Sequence, residues 1–266
     1  MRVFYSLDEL RGQIKNPAVA VGSFDGVHAG HRAILDELKK EAAALGGEAV
    51  VVTFSPHPRQ VVNRSEFAVE LLSSLEEKTF LLDSYGIDNL FVIPFTPEFS
   101  QLSYVDFARE YLLEGIGAKA IVMGYNHQFG RDREGNRDYL EELRTQYDFE
   151  VIQLLKQEVA DQKISSSIIR GLIHRGDMKL TNQCLAEPYF FIARSGNCGL
   201  LDYDEPAKLF PPNGIYPVTV KDGETEKSTK LMIADGKLGI PPLSKTCAPG
   251  QRLLIEFGPS NRKFQP

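Results

Sequence analysis

The sequence predicts an α/β protein: a doubly wound parallel sheet followed by a small all-β, barrel-like domain. Two observations carry the first part. Across the first two-thirds of the 266 residues, apolar runs of strand length alternate with helical patterns. Strands separated in this way pair in parallel, with helices on both faces. The first such strand also runs straight into a glycine-rich loop that opens a helix, and ligands of such sheets bind at the carboxyl ends of the strands. The third observation concerns the tail. After Asp177 the segments become strand-rich and are parted by Pro211-Pro212-Asn213-Gly214, Asp222-Gly223, Asp235-Gly236 and Pro249-Gly250, turn signals that separate short antiparallel strands. The domains are read as 1–186 and 187–266.

Taken in order, Ala18-Val19-Ala20-Val21 is a buried strand and residues 32–40 an amphipathic helix. A second strand covers 50–54 and stops at Ser55-Pro56-His57-Pro58, where two prolines predict an extended loop and no regular helix start. Ser73 and Ser74 ahead of Glu76 and Glu77 predict a helix N-terminus. A strand at 90–94, a helical pattern over 104–113, a strand at 120–123, a polar helix at 136–147 and a strand at 151–155 complete the alternation. In the tail a helix is read at 178–185, with strands beginning at 188 and at 215–220, 230–233 and 252–257.

The stretch Gly22-Ser23-Phe24-Asp25-Gly26-Val27-His28-Ala29-Gly30-His31 suits an anion. Gly22, Gly26 and Gly30 allow a tight turn and close approach of a ligand. The helix start offers N–H groups and the positive end of a dipole. His28 and His31 are spaced to lie on one side of that start and to donate to phosphate oxygens. A metal pair is the other use of such spacing. It needs further ligands, and His57, His127 and His174 are scattered without cysteine partners.

Gly-x-Phe-Asp-Gly-Val-His-x-Gly-His resembles the signature of the adenylyltransferase module of prokaryotic FAD synthetases, which is usually fused to a riboflavin kinase. That resemblance implies a Rossmann-like nucleotidyltransferase sheet that uses ATP, with Mg²⁺, and FMN. It also implies a set of site residues. Gly22, Ser23, Phe24, Asp25 and Gly30 would cradle ATP, with His28 and His31 steadying the α- and β-phosphates. Phe54-Ser55-Pro56-His57-Pro58 is similar to the family's Phe-x-Pro-His-Pro, which places Phe54, Pro56, His57 and Pro58 at FMN. Gly124-Tyr125-Asn126-His127-Gln128-Phe129-Gly130 matches a third loop, with His127 where an aromatic residue is usual. It implies that Asn126 contacts ATP and Phe129 walls the isoalloxazine, while Arg131 and Arg133 stand equally as site residues or as a solvated charge run. Ile164-Ser165-Ser166-Ser167-Ile168-Ile169-Arg170 is close to Ile-Ser-Ser-Thr-x-Ile-Arg. Ser165, Ser166, Ser167 and Arg170 would then hold the leaving phosphates, Ser165 and Arg170 among the catalytic set.

The tail departs from the family's kinase half. Phe210-Pro211-Pro212-Asn213-Gly214-Ile215-Tyr216 is similar to it, but Arg194-Ser195-Gly196-Asn197-Cys198-Gly199 stands where Gly-Arg-x-x-Gly-Phe-Pro-Thr-Ala-Asn is expected. The family's catalytic Glu has no match, and the tail is shorter than a complete kinase module. Glu256 alternates with apolar neighbours like the outward residue of an ordinary strand, which predicts a surface carboxylate. The expectation is an FMN adenylyltransferase with a truncated, kinase-like barrel that has lost its chemistry. The alternatives are a bifunctional riboflavin kinase/FMN adenylyltransferase and a non-catalytic flavin or nucleotide sensor.

Composition is ordinary for a soluble globular protein. The chain is 42% hydrophobic and 25% charged with a formal charge of −6, which argues against a general nucleic-acid binder. Cys184, Cys198 and Cys247 form no close pair and read as reduced thiols. Acidic residues near Met1 where a signal peptide is apolar, and no apolar run of bilayer length, predict a cytoplasmic protein without a membrane partner.

Overall fold

A computed structural model gives the architecture. It describes residues 1–62, 69–124, 129–130, 135–154, 158–159, 162–185, 187–223, 225–241, 249–259 and 262–264. Six parallel strands, β1 (Arg2–Phe4), β2 (Ala18–Val21), β3 (Ala49–Ser55), β4 (Asn89–Pro94), β5 (Ala120–Met123) and β6 (Glu150–Gln153), form one sheet in the order β1-β4-β3-β2-β5-β6. In register, Val21 lies opposite Val52, and Ala20 lies opposite both Val51 and Val122. Strands buried on both faces read as continuous apolar runs, which is why β2, β3, β4 and β5 are visible in the sequence. β1 is three residues long, begins with an arginine and carries no such run.

Alternate residues face opposite sides of the sheet. Val19, Val21, Val50, Val52, Ile121 and Met123 share a core with Phe107, Leu112 and Leu140. The Ala29–Ala44 helix packs on β2, β3 and β5 and buries Leu35, Leu38 and Ala42. Strand order runs from β2 outward through β3 and β4, then reverses to place β5 on the other side of β2. Ligands of open α/β sheets bind at the carboxyl ends beside such a switch point. The helical pattern over 104–113 is built as a short α-turn, Tyr104–Asp106, that widens into a π-helix, Phe107–Ile116, closed by Gly117 at φ 75°.

By its internal contacts the chain forms two compact units, Met1–Val69 with Thr79–Glu158, and Glu70–Lys78 with Val159–Pro266. The helices Ser166–His174 and Met178–Leu185 belong to the second. Ile169, Leu172, Ile173, Cys184 and Leu185 share a core with Phe191, Leu231, Leu253 and Ile255 of the β-rich tail. The second unit thus takes in the chain from Val159 onward, ahead of the boundary read at residue 186. That tail is a closed antiparallel barrel. Its strands follow one another as Leu200–Asp202, Lys237–Gly239, Glu226–Ala234, Gly214–Lys221, Arg252–Glu256 and Phe190–Ser195.

One barrel expectation is corrected. Glu256 is not a surface carboxylate; it is fully buried, with Oε2 3.0 Å from Lys221 and Oε1 3.2 Å from Arg262. Two cations make its burial tolerable, since a lone buried carboxylate is costly. Strand alternation could not show this, because both cations lie elsewhere in the chain. Among the described residues no helix is long and apolar enough to cross a membrane.

Candidate active site

The loop after β2 is strained and enclosed. Phe24 and Val27 hold φ of 46° and 40°, a region that L-residues rarely adopt and β-branched ones avoid. Such strain concentrates at functional loops. Phe24, Asp25, Val27 and His28 are all buried. The turn is tied down by Val27 N–H donating to Phe24 C=O at 3.3 Å and Gly22 N–H donating to Val52 C=O at 3.0 Å. Thr53 Oγ1 donates to Ser23 C=O at 3.2 Å. Thr53 was not singled out in the sequence, although a polar residue inside an apolar strand needs a partner and so carried a signal.

His28 is the N-cap of the Ala29–Ala44 helix. The His31 N–H is shared between His28 C=O at 2.8 Å and His28 Nδ1 at 3.4 Å. An Nδ1 that accepts carries no proton, so the neutral ring bears its hydrogen on Nε2, the nitrogen able to donate. The two imidazoles stack with centroids 3.7 Å apart and 15° between planes, and Phe24 lies 5.1 Å from His31. The spacing of two histidines across a helix start thus brings both rings together. At Gly30 an added Cβ would sit 3.3 Å from the His28 ring, and at Gly22 3.0 Å from the Phe24 ring. These glycines make room for the loop's own side chains.

The loop after β3 differs from the prediction in one respect. A helix does begin there, at Pro58, because the first helical position needs no N–H and proline's fixed φ suits it. His57 caps it: Arg59 N–H donates to His57 Nδ1 at 3.2 Å, and Gln60 Oε1 accepts from His57 N–H at 2.9 Å. His57 is therefore part of a reciprocal cap as well as a candidate ligand contact. Pro56 is exposed and Pro58 partly so. Phe54 joins an aromatic cluster, 5.5 Å from Phe95 and 6.1 Å from Phe99. Phe129 lies in the core, 7% exposed with its ring 5.8 Å from Phe107, and has little surface left for a ligand. Asn126, Arg131 and Arg133 fall outside the described residues.

In the second unit Ser165 caps the Ser166–His174 helix, its Oγ accepting from Ile168 N–H at 3.4 Å. Ser166 is partly buried and Ser167 exposed. Arg170 Nε donates to Glu70 C=O at 2.7 Å. Glu70 is a hundred residues away and has no local signal in the sequence. Among the described residues no group of three or more His, Cys, Asp or Glu side chains could hold a metal ion.

Sheet, switch-point loop and histidine-capped helix define an α/β protein whose candidate site lies at a helix N-terminus. A family model of FAD synthetase matches residues 11–168. The bifunctional riboflavin kinase/FMN adenylyltransferase of Listeria monocytogenes is 36% identical over 174 residues, 65% of this chain and 55% of that protein. The protein of the same name from Bacillus subtilis is 30% identical over 75% of this chain and 66% of that one. A FAD synthetase of Listeria monocytogenes is 33% identical over 74% of this chain and 79% of that protein. The chain thus spans a little over half to about two-thirds of the length of the two bifunctional relatives. It belongs to the FAD synthetase family. In fold alone it is similar to the crystal structure of a macrolide-efflux protein from Streptococcus pneumoniae, 22% identical with a TM-score of 0.80 over 100% of this chain and 91% of that one.

Proposed function

We propose that the chain is an FMN adenylyltransferase, transferring AMP from MgATP to FMN to give FAD and pyrophosphate. The observation that carries this is the pair of stacked imidazoles at a helix N-terminus, in a strained loop at the sheet's switch point. A phosphate oxygen of FMN is already anionic at neutral pH and attacks the α-phosphorus directly, so no general base is needed. The bond from the α-phosphorus to the bridging oxygen breaks, and pyrophosphate leaves with the electron pair. Catalysis is then positioning and electrostatic stabilisation.

In this proposal His28 and His31 donate to the α- and β-phosphates as charge develops, and Gly22, Ser23, Phe24, Asp25 and Gly30 frame the nucleotide. Ser165, Ser166, Ser167 and Arg170 hold the leaving pyrophosphate by hydroxyls, helix N–H groups and a guanidinium. Asn126 is assigned to ATP, and Phe54, Pro56, His57 and Pro58 to FMN, with Phe129 giving at most an edge. Magnesium on the phosphates would offset their charge. The test is incubation of the purified protein with MgATP and FMN, with flavins resolved by chromatography: FAD and pyrophosphate are expected, and no FAD with any divalent cation overturns the proposal.

A second reading has a specific observation behind it. Relatives over much of the chain carry the name of a bifunctional riboflavin kinase/FMN adenylyltransferase. The same assay with riboflavin in place of FMN separates the two readings.

A further inference from the structure

The stretch Glu70–Lys78, which belongs to the barrel unit, is fixed there by a buried cation. Lys208 is 6% exposed. Its Nζ donates to Glu77 Oε2 at 2.6 Å, Leu72 C=O at 2.7 Å and Phe190 C=O at 2.8 Å, one acceptor for each ammonium proton. The backbone joins in: Leu71 N–H donates to Ala207 C=O at 2.6 Å and Leu209 N–H to Leu71 C=O at 2.8 Å. At the head of this fixed stretch stands Glu70. Its carbonyl accepts from Arg170 Nε at 2.7 Å, and its carboxylate lies 2.6 Å from His174 Nε2. Arg170 and His174 are four apart on one helix, hence on one face. Glu70 therefore grips two successive turns of the helix that begins at Ser165.

We propose that Glu70 is a positioning residue for Arg170. A guanidinium on a flexible stem recognises phosphate oxygens through a planar fork. A bond at Nε sets the plane of that fork, and the His174 contact one turn on keeps the Glu70 backbone where the Nε bond needs it. The inference rests on Arg170 acting on the leaving pyrophosphate, as proposed above. The test measures kcat and KM for FAD formation from FMN and MgATP in Glu70→Ala, Glu70→Gln, His174→Ala, Arg170→Ala and the Glu70→Ala/Arg170→Ala double variant, with thermal melts for folding. Glu70→Ala and His174→Ala are each expected to lower kcat about fivefold, the ceiling for a tether of surface grade, with KM for FMN and the melting temperature nearly unchanged. Glu70→Gln, which can still bond His174, should restore most of the rate. In the Arg170→Ala background Glu70→Ala should add nothing, a non-additivity that a merely structural role would not produce. A slowed Arg170→Ala beside a wild-type Glu70→Ala, or an equal loss in both backgrounds, overturns this inference alone. A wild-type rate in Arg170→Ala overturns the leaving-group assignment and this inference with it.

Discussion

At the scale of single residues, the imidazole pair is where the chemistry is most exposed to test. The rings stack at 3.7 Å, and in the proposed reaction each would donate to the phosphates of the nucleotide. Removing one donor that stabilises a transition state costs about 10²–10³ in turnover. His28→Ala and His31→Ala are each expected to lose that much in kcat for FAD formation, with a smaller change in ATP binding; unchanged turnover in both would make the rings structural. Gly30→Ala sets stability against function. Gly30 lies in the first turn of the Ala29–Ala44 helix, where alanine in place of glycine favours the helix by up to ~1 kcal/mol. Its Cβ would press on the His28 ring at 3.3 Å. A displacement of about 1 Å at a catalytic group can cost ~10²-fold, so a shift of a few tenths should cost about tenfold. The expected variant melts no lower than wild type and turns over more slowly, as a thermal melt beside a rate assay would show.

Among the elements, the Leu75–Ser84 helix shows how much was legible and where legibility ended. Its start was readable, because Ser74 and Glu77 form a reciprocal cap, Ser74 N–H to Glu77 Oε2 at 2.9 Å and Glu77 N–H to Ser74 Oγ at 3.1 Å, and such a cap is written in residues three apart. That the same Glu77 is 1% exposed and bonds Lys208, Ile192 N–H and Tyr203 was not readable, since those partners lie more than a hundred residues on. The same contrast holds at the site. The histidine pair and the Ser165 cap are local patterns. Thr53, Glu70 and the burial of Glu256 depend on distant partners, and β1 is too short to show a period. Glu77→Ala would leave the Lys208 ammonium buried without its carboxylate. A loss of about 3–5 kcal/mol is expected, read as a lower urea midpoint, whereas an unshifted midpoint would show that Lys208 finds another partner.

Tyr203 adds a pH dependence to the same cluster. Burial first, and then the charge of Glu77, push its hydroxyl far above the ordinary 10.0. The folded state therefore favours the neutral phenol. Its stabilising contribution is fully present below pH 10 and is lost progressively above it, where the unfolded chain ionises and the folded one does not. Unfolding free energy should thus fall above pH 10 in the wild type. The fall should be shallower in Tyr203→Phe, and equal slopes in the two would contradict the assignment.

On the scale of the whole molecule, the remaining question is what the barrel does. Ile169, Leu172 and Ile173 share its core, so deleting residues 187–266 would strip the apolar support from the helix that carries Ser165 and Arg170. Harm to the chemical step is expected along with poor solubility. Phosphorylation of riboflavin is a separate matter. Its 5′-hydroxyl is neutral, so transfer of a phosphoryl group to it needs a group positioned to take the proton, together with a nucleotide site in the barrel. Glu256, the acidic residue of the late strand, is fully buried and engaged by Lys221 at 3.0 Å and Arg262 at 3.2 Å, which locks it away from any substrate. The stretch Arg194-Ser195-Gly196-Asn197-Cys198-Gly199, which stands where the kinase motif is expected, does not match it. The Ser195 hydroxyl accepts from Gln251 N–H at 3.1 Å and is 7% exposed, while Asn197 opens a short 3-10 turn. Ser195 thus serves the barrel's own backbone. We therefore expect riboflavin and MgATP to yield no FMN under conditions where FMN and MgATP yield FAD. Robust conversion of riboflavin to FMN by the intact chain would overturn this expectation and make the protein bifunctional.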